Sequence, residues 1–403
     1  MYDIIVVGAG PAGSTAAKCL SEEGFNVLLL DKDKFPRDKP CGGGIPSRVF
    51  KDFPYIVDNQ LIESYSYCGK LCSSNINDFT EYHRSKPIVG MVLRKHFDNG
   101  LLKLAEKSGV VVKDGIKVVN FNISNGKARV ILENGECFES QIIIGADGVW
   151  STIAKKSGLA KKRRDIGLCI LQEFPMKSET LDRYYGEERF CYIHLRFNGV
   201  AGYGWVFPKK EHINIGISEY RQTSPNPNVK HNLKQIFFNY IDTLKQNKII
   251  PHNLKVDNVT GGAVPINPLE KTYSDRLLLC GDAGGFINPL SGEGIYYAMK
   301  SGKIAAKATA ASLEDGKTDE KTLSTYQRMW KNDFGKDIQI LSNYTKNWNK
   351  SKNSLIKFTK NDRKLADMAL SIFQGDRSFY EYKWKIMTRA LYVYFRDFIR
   401  HRI

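Results

Sequence analysis

Gly8, Gly10 and Gly13 follow directly on the apolar run Ile4–Val7, in the spacing G-x-G-x-x-G. In that spacing the first glycine permits a tight turn, the second lets backbone approach a pyrophosphate, and the third lets a helix pack closely. The helix expected over about 12–23, opening at Ala12, would turn its first N–H groups and its dipole toward phosphates. Asp31 ends the next apolar run, Asn26–Leu30. A carboxylate about 20 residues past the glycines suits a ribose 2′-hydroxyl and repels a 2′-phosphate. Glycine spacing alone is weak evidence. Strand, glycines, helix, strand and carboxylate in this order specify a dinucleotide site.

Three further stretches carry chemistry. Cys41 precedes Gly42, Gly43 and Gly44, a loop in which backbone passes close to something flat or bulky. Gly281 and Asp282 close the run Arg276–Cys280, and the Ala-rich stretch Ile295–Ala311 behind Gly294 reads as a helix. A carboxylate, a glycine-dense turn and a helix N-terminus again suit a polar ligand. Tyr203, Trp205 and Phe207, within Gly202–Lys209, read as an aromatic strand in the middle of a sheet. The eight cysteines have no metal-ligand spacing; Cys68 and Cys72 are the nearest pair, with no second pair to complete a zinc site. No metal is expected, and most cysteines read as small buried hydrophobes.

These residues must be positioned by an α/β chain, α+β overall. A Rossmann-like nucleotide domain is expected over 1–50, 91–160 and 261–315, intertwined with a mixed-sheet substrate domain over 51–90 and 161–260. A helical, basic C-terminal region completes it over 316–403. Residues 50–90 read as strands of a second layer, Arg94–Gly109 as a helix, and 110–144 as short strands with a hairpin turn at Asn134-Gly135. Helical periodicity fades between 160 and 260, apart from one polar helix at about 229–248. With 403 residues, two cores are expected. No apolar run is long enough to span a bilayer, and Met1-Tyr2-Asp3 leads straight into the first strand, so a cytoplasmic protein is expected.

The net charge is +17. A basic tail can meet nucleic acid, anionic lipid or nothing in particular. In Trp384–Phe398 the residues Trp384, Met387, Leu391, Phe395 and Phe398 fall on one helical face, with Lys383, Lys385, Arg389, Arg396 and Arg400 mostly on others. That pattern suits a membrane interface or a helix docked on the protein's own core. A nucleic-acid partner is not expected, because the basic residues lack repeated aromatic platforms.

Together, Gly8-x-Gly10-x-x-Gly13, Gly145-Ala146-Asp147-Gly148 and Gly281-Asp282 resemble the FAD-binding fold of the aromatic hydroxylases. Lys39–Pro46 and Tyr203–Lys209 resemble the geranylgeranyl reductases within it, flavoproteins that saturate isoprenoid double bonds. Val200 stands where the family's fuller motif has proline. The resemblance spans about residues 1–310 and implies FAD as cofactor. It implies Ala12 at the pyrophosphate, Asp31 at the adenosine ribose, Arg94 at phosphate or ribityl, and Val118 at adenine through its backbone. Asp282 would meet ribityl hydroxyls, Gly294 and Ile295 the flavin carbonyl, and Cys41, Gly42 and Gly43 the isoalloxazine. Tyr203, Trp205 and Phe207 would line an apolar tunnel for a prenylated lipid, pigment precursor or quinone. The implied reaction is hydride transfer to one alkene carbon and a proton to the other, with no acid–base dyad; Cys41 and Tyr203 are the candidate proton donors. Electrons would come from NAD(P)H or a small reduced carrier. The competing reading is a flavin monooxygenase or halogenase, whose W-x-W-x-I-P stretch Tyr203–Pro208 nearly matches.

Overall fold

The computed structural model describes residues 1–160, 166–220, 231–347, 362–373 and 377–400. The chain forms two units. The first comprises Met1–Lys39, Arg94–Ile166 and Val264–Ile338.

Its sheet sets Leu277–Leu279, Cys137–Gly145, Tyr2–Val7, Val27–Leu30 and Val111–Lys113 side by side, all parallel. Ile4, Ile5, Val6 and Leu28–Leu30 are wholly buried, as strands covered on both faces must be. Each such side chain contributes about 1.5–3 kcal/mol by leaving water. Cys137–Gly145 is one strand rather than the two expected, and it changes partner midway. Ser140 pairs with Ala128 of the antiparallel Lys127–Leu132 and also with Tyr2 of the parallel first strand.

Helices Pro11–Glu22, Arg94–Lys107 and Ile295–Glu314 belong to this unit. The first and third meet closely because Gly302 has no side chain: a Cβ there would lie 2.3 Å from the carbonyl oxygen of Ala12.

The second unit comprises Pro40–Leu93, Gly167–Ala263 and Gln339–Ile403. Seven strands run in the order Thr260–Pro265, Ile166–Pro175, His212–Glu219, Tyr203–Pro208, Cys191–Leu195, Cys68–Cys72 and Phe79–His83. Cys191–Leu195 and Cys68–Cys72 are parallel, so the sheet is mixed. Helix Leu233–Gln246 covers one face, burying Val206, Ile213, Ile215 and Ile217 against Phe237, Tyr240 and Leu244. Asn232 caps it by accepting the Gln235 N–H at 3.1 Å. The expected start of that helix, before 231, lies outside the described residues.

Two expectations need correction. Arg48–Asp52 and Tyr55–Asp58 are short helices where strands were expected. Ser178–Tyr185 is a helix in a stretch whose periodicity faded; it is two turns long and buries only Leu181 and Tyr185. Further helices include Glu320–Trp330, Lys336–Asn347, Arg363–Phe373 and Phe379–Arg400. No helix among the described residues is long and apolar enough to cross a membrane.

Candidate functional site

The glycine turn of the first unit is built by close approach. Gly8 has φ +104°, and a Cβ there would lie 2.4 Å from the Ala146 carbonyl oxygen. A Cβ at Gly13 would sit 1.8 Å from the Gly8 oxygen. Gly10 differs: the only atom near its Cβ position is Nη2 of Arg37, at 3.8 Å. Gly10 also caps helix Pro11–Glu22, and no side chain caps it, so the first-turn N–H groups are left for another partner.

Asp31 holds this turn in shape. One carboxylate oxygen accepts the Ala9 N–H at 2.6 Å and the other the Asp33 N–H at 2.9 Å. Burial pushes its carboxyl up, against the pull of these two donors. Each oxygen keeps a second lone pair for a hydroxyl.

Beside the turn, two guanidiniums converge on one buried carboxylate. Arg94 grips Asp98 through Nε and Nη2, both at 2.7 Å, and Arg37 Nη2 approaches the same group at 3.0 Å. Burial alone would raise the Asp98 carboxyl, but Arg94, then Arg37 and Lys39, outweigh it and hold it below the usual range. Nη1 of Arg37 is buried and has no hydrogen-bond partner among the described residues. A buried guanidinium N–H costs free energy unless an acceptor meets it. An unmet donor beside an uncapped helix start and an open glycine fits a bound pyrophosphate. Arg37 and Asp98 were not singled out in the sequence; the signals were a basic residue shortly after the second strand and the i,i+4 spacing of Arg94 and Asp98.

Val118 begins the strand Val118–Ser124 and is buried. Asp282 lies behind strand Leu277–Leu279, with Lys39 Nζ at 3.8 Å. A Cβ at Gly294 would stand 3.6 Å from its Oδ1. Gly294 is the N-cap of the helix that Ile295 opens. So the first unit brings together Gly8, Gly10, Ala12, Gly13 and Asp31 around one turn, and Asp282, Gly294 and Ile295 around another.

The second unit joins the two motifs that carried the finer resemblance. Tyr203, Trp205 and Phe207 alternate along one strand, their rings 5.8 and 6.3 Å apart in succession. Trp205 fits only because its cross-strand partner is Gly216, where a Cβ would lie 2.1 Å from the indole. On the opposite face a Cβ at Gly204 would lie 2.7 Å from the Tyr240 ring. The motif thus alternates rings with small residues because its two faces have different neighbours.

Gly42 packs against the same rings: its Cβ would stand 3.1 Å from both Phe207 and Trp205 Nε1. The flat partner that the triple glycine requires therefore includes the chain's own aromatics. A Cβ at Gly43, at φ +75°, would strike the Val92 carbonyl oxygen at 2.1 Å and Lys209 Nζ at 2.9 Å. Cys41 Sγ accepts the Gly43 N–H at 3.4 Å.

A buried polar network ties these pieces. Trp205 Nε1–H donates to Asn214 Oδ1 at 2.7 Å, and Asn214 Nδ2–H donates to the Cys41 carbonyl at 3.2 Å and to Glu173 Oε2 at 2.8 Å. Lys209 Nζ, 1% exposed, donates to the same Glu173 oxygen at 2.8 Å. Asn214 and Glu173 were missed in the sequence because they lie in different strands and meet only through the register Glu173↔Asn214. Tyr203 hydrogen-bonds with Tyr220, and burial pushes its phenol well above the usual range, so it holds its proton at neutral pH.

The C-terminal helix Phe379–Arg400 turns Arg389 and Arg396 toward Asp362, at 2.6 and 3.4 Å. Trp384, Met387, Leu391 and Phe395 are each more than half exposed. The side chains of 397–400, Phe398 and Arg400 included, lie outside the described set. A cavity of about 520 Å³ beside this helix is lined, among the described residues, by Lys364, Arg377, Lys385 and Arg389 with Tyr382 and Tyr392.

The FAD binding domain family model matches residues 1–332. The chain is 32% identical over 342 residues to digeranylgeranylglycerophospholipid reductase of Methanocaldococcus jannaschii, covering 82% of each chain. Its fold matches a geranylgeranyl bacteriochlorophyll reductase-like protein from Thermoplasma acidophilum, with TM-score 0.78 and 22% identity over 95% of this chain and 98% of that one. It also matches the flavin-dependent brominase Bmp2, with TM-score 0.71 and 18% identity over 100% and 98%.

Proposed function

The chain belongs to the FAD-binding-domain family, and from that premise we propose that it saturates the isoprenoid double bonds of a prenylated glycerophospholipid. The observation that carries this reading is the joined pair of motifs in the second unit. Backbone at Cys41–Gly44 rests on Trp205 and Phe207, making an aromatic surface whose polar atoms are turned into their own network. Such a surface guides a flexible apolar chain by area and shape, not by hydrogen bonds.

FAD is the cofactor, and once reduced it supplies hydride. The Gly8–Gly13 turn, the start of helix Pro11–Glu22, and Arg37 with Arg94 hold the pyrophosphate; Asp31 takes the ribose and Val118 the adenine. Asp282 takes ribityl hydroxyls, and the helix N-terminus at Gly294 and Ile295 favours negative charge on its ligand. The Cys41–Gly43 backbone is assigned to flavin contact on the family resemblance. Cys41 and Tyr203 are the candidate proton donors, and Tyr203, Trp205 and Phe207 exclude water from the alkene.

The C-terminal helix supports a reading in which the protein binds a membrane surface. Its exposed Trp384, Met387, Leu391 and Phe395 suit an interface, and the basic groove beside them suits anionic headgroups. The lysine-rich surface suits an acidic electron carrier; transient NAD(P)H is the other electron source.

The test uses chemically reduced holoprotein with three substrates carrying the same prenyl chains: a glycerophospholipid, a free diphosphate and a quinone. Mass spectrometry should show the glycerophospholipid gaining two hydrogens per bond and turning over fastest. Preference for the quinone would reassign the headgroup, and no gain with any of them would refute the reading.

A further inference from the structure

We infer that Cys68, His83 and Glu188 form a binding site for a divalent, zinc-type metal ion, away from the aromatic wall of the same unit. Cys68 Sγ, a ring nitrogen of His83 and a carboxylate oxygen of Glu188 lie within 4.8 Å of one another. Cys68 and His83 are direct cross-strand partners of the antiparallel pair Cys68–Cys72 and Phe79–His83, which places their side chains on one face. Glu188 comes from the turn ahead of strand Cys191–Leu195.

Two observations point beyond coincidence. First, His83 Nδ1 lies 3.4 Å from Glu188 Oε2. Bonds of about 2.0–2.2 Å to a tetrahedral ion would set nitrogen and oxygen ligands about 3.4 Å apart. Second, the other ring nitrogen, Nε2, faces Glu81 Oε1 at 3.2 Å. Metal-bound histidines characteristically give that second N–H to a carboxylate, which settles tautomer and orientation. Glu81 is itself steadied by Lys70, 3.5 Å from its other oxygen.

An imidazolium between two carboxylates would account for Glu81 and Glu188; the thiol beneath them adds the soft donor that a zinc-type ion takes. Cys68 is fully buried while His83 and Glu188 are exposed, so an ion would enter from solvent and seat against the sulfur. Its Sγ at present donates to the Glu188 carbonyl at 3.6 Å. On binding, the S–H bond breaks, the S–metal bond forms and the proton leaves to water. One thiolate, one imidazole and one carboxylate leave a fourth position for water, a donor set that suits zinc. The bound ion would clamp the two strands to the turn at 188. Sequence could not show this, since the ligands lie in separate segments and no spacing links them.

The test is a zinc titration of chelator-treated full-length holoprotein by calorimetry, with X-ray absorption at the zinc edge. Expected are one tight equivalent, one sulfur scatterer at about 2.3 Å and nitrogen or oxygen at about 2.0–2.2 Å. Glu81→Gln should weaken binding by about 10–100-fold. His83→Ala, at a half-exposed side chain, should weaken it further, and Cys68→Ser should remove the sulfur scatterer. A first shell without sulfur, or affinity unchanged in His83→Ala, would overturn the proposal. So would a sulfur scatterer surviving in Cys68→Ser, which would place zinc at another thiol.

Discussion

Asp98→Asn tests whether the first unit is built around an anion site. Asp98 is wholly buried between Arg94 and Arg37, and both guanidiniums are largely buried too. Replacing the carboxylate by an amide keeps the shape but removes the buried charge that Arg94 and Arg37 share. Removing one partner of a buried ion pair costs about 3–5 kcal/mol. At about 2–4 °C per kcal/mol, Tm of the FAD-free protein should fall by about 6–20 °C. Because the site is read as holding a pyrophosphate, FAD should stabilise the variant and recover part of the loss. Saturation at about 100 Kd alone returns about 2.7 kcal/mol.

The pH dependence gives a second handle. The Asp98 carboxyl is held below its unfolded value, so its contribution is complete above the unfolded carboxylate pKa of about 3.9. It is lost as pH falls through the depressed native value. The Tm gap between wild type and Asp98→Asn should therefore be constant near neutrality and narrow below about pH 4. Differential scanning fluorimetry with and without FAD, between neutral pH and pH 3, measures all of this. A Tm change under about 2 °C, or a gap independent of pH, would refute the reasoning.

Other predictions follow from the second unit. Gly42→Ala adds a Cβ 3.1 Å from Phe207 and Trp205, so overpacking should cost about 1–3 kcal/mol in thermal stability and raise KM for the prenyl substrate. Lys209→Met leaves the Glu173 carboxylate facing Asn214 without its cation; Glu173 is partly exposed, so the loss should be about 1–3 kcal/mol, read from urea unfolding. Replacing Trp384, Leu391 and Phe395 together by serine should abolish sedimentation with anionic liposomes while Tm changes by less than about 2 °C, because all three are exposed. A large Tm drop would mean that this helix face is covered by protein.

The nucleotide turn was legible because part of its constraint is local, although the approach of Ala146 to Gly8 is not. The Gly8 φ of +104° and the 1.8 Å approach at Gly13 are satisfied within a dozen residues, so a short motif records them. Asp31 was legible as a residue but its main work was not: it fastens Ala9 and Asp33 backbone, which only the folded turn reveals. Arg37, Glu173 and Asn214 were missed because each acts on a residue distant in sequence, whereas Asp98 lies one helical turn from Arg94 and only its burial, with Arg37 against it, sets it apart from a surface pair. Gly216 is the same case, since nothing near it hints at the indole of Trp205. Helix Ser178–Tyr185 escaped because two buried residues make no period. The helices at 48–58 escaped because aromatic, polar segments suit strands as well.

The proposed activity requires hydride from reduced FAD to reach an alkene carbon. The most direct measurement is anaerobic. Holoprotein is reduced with dithionite, freed of excess, and mixed with a geranylgeranyl glycerophospholipid while the flavin spectrum is followed. Reoxidation without oxygen is expected, with two hydrogens gained by the lipid for each flavin reoxidised. A flavin that stays reduced until oxygen is admitted, and then oxygenates or halogenates an aromatic compound, would contradict it.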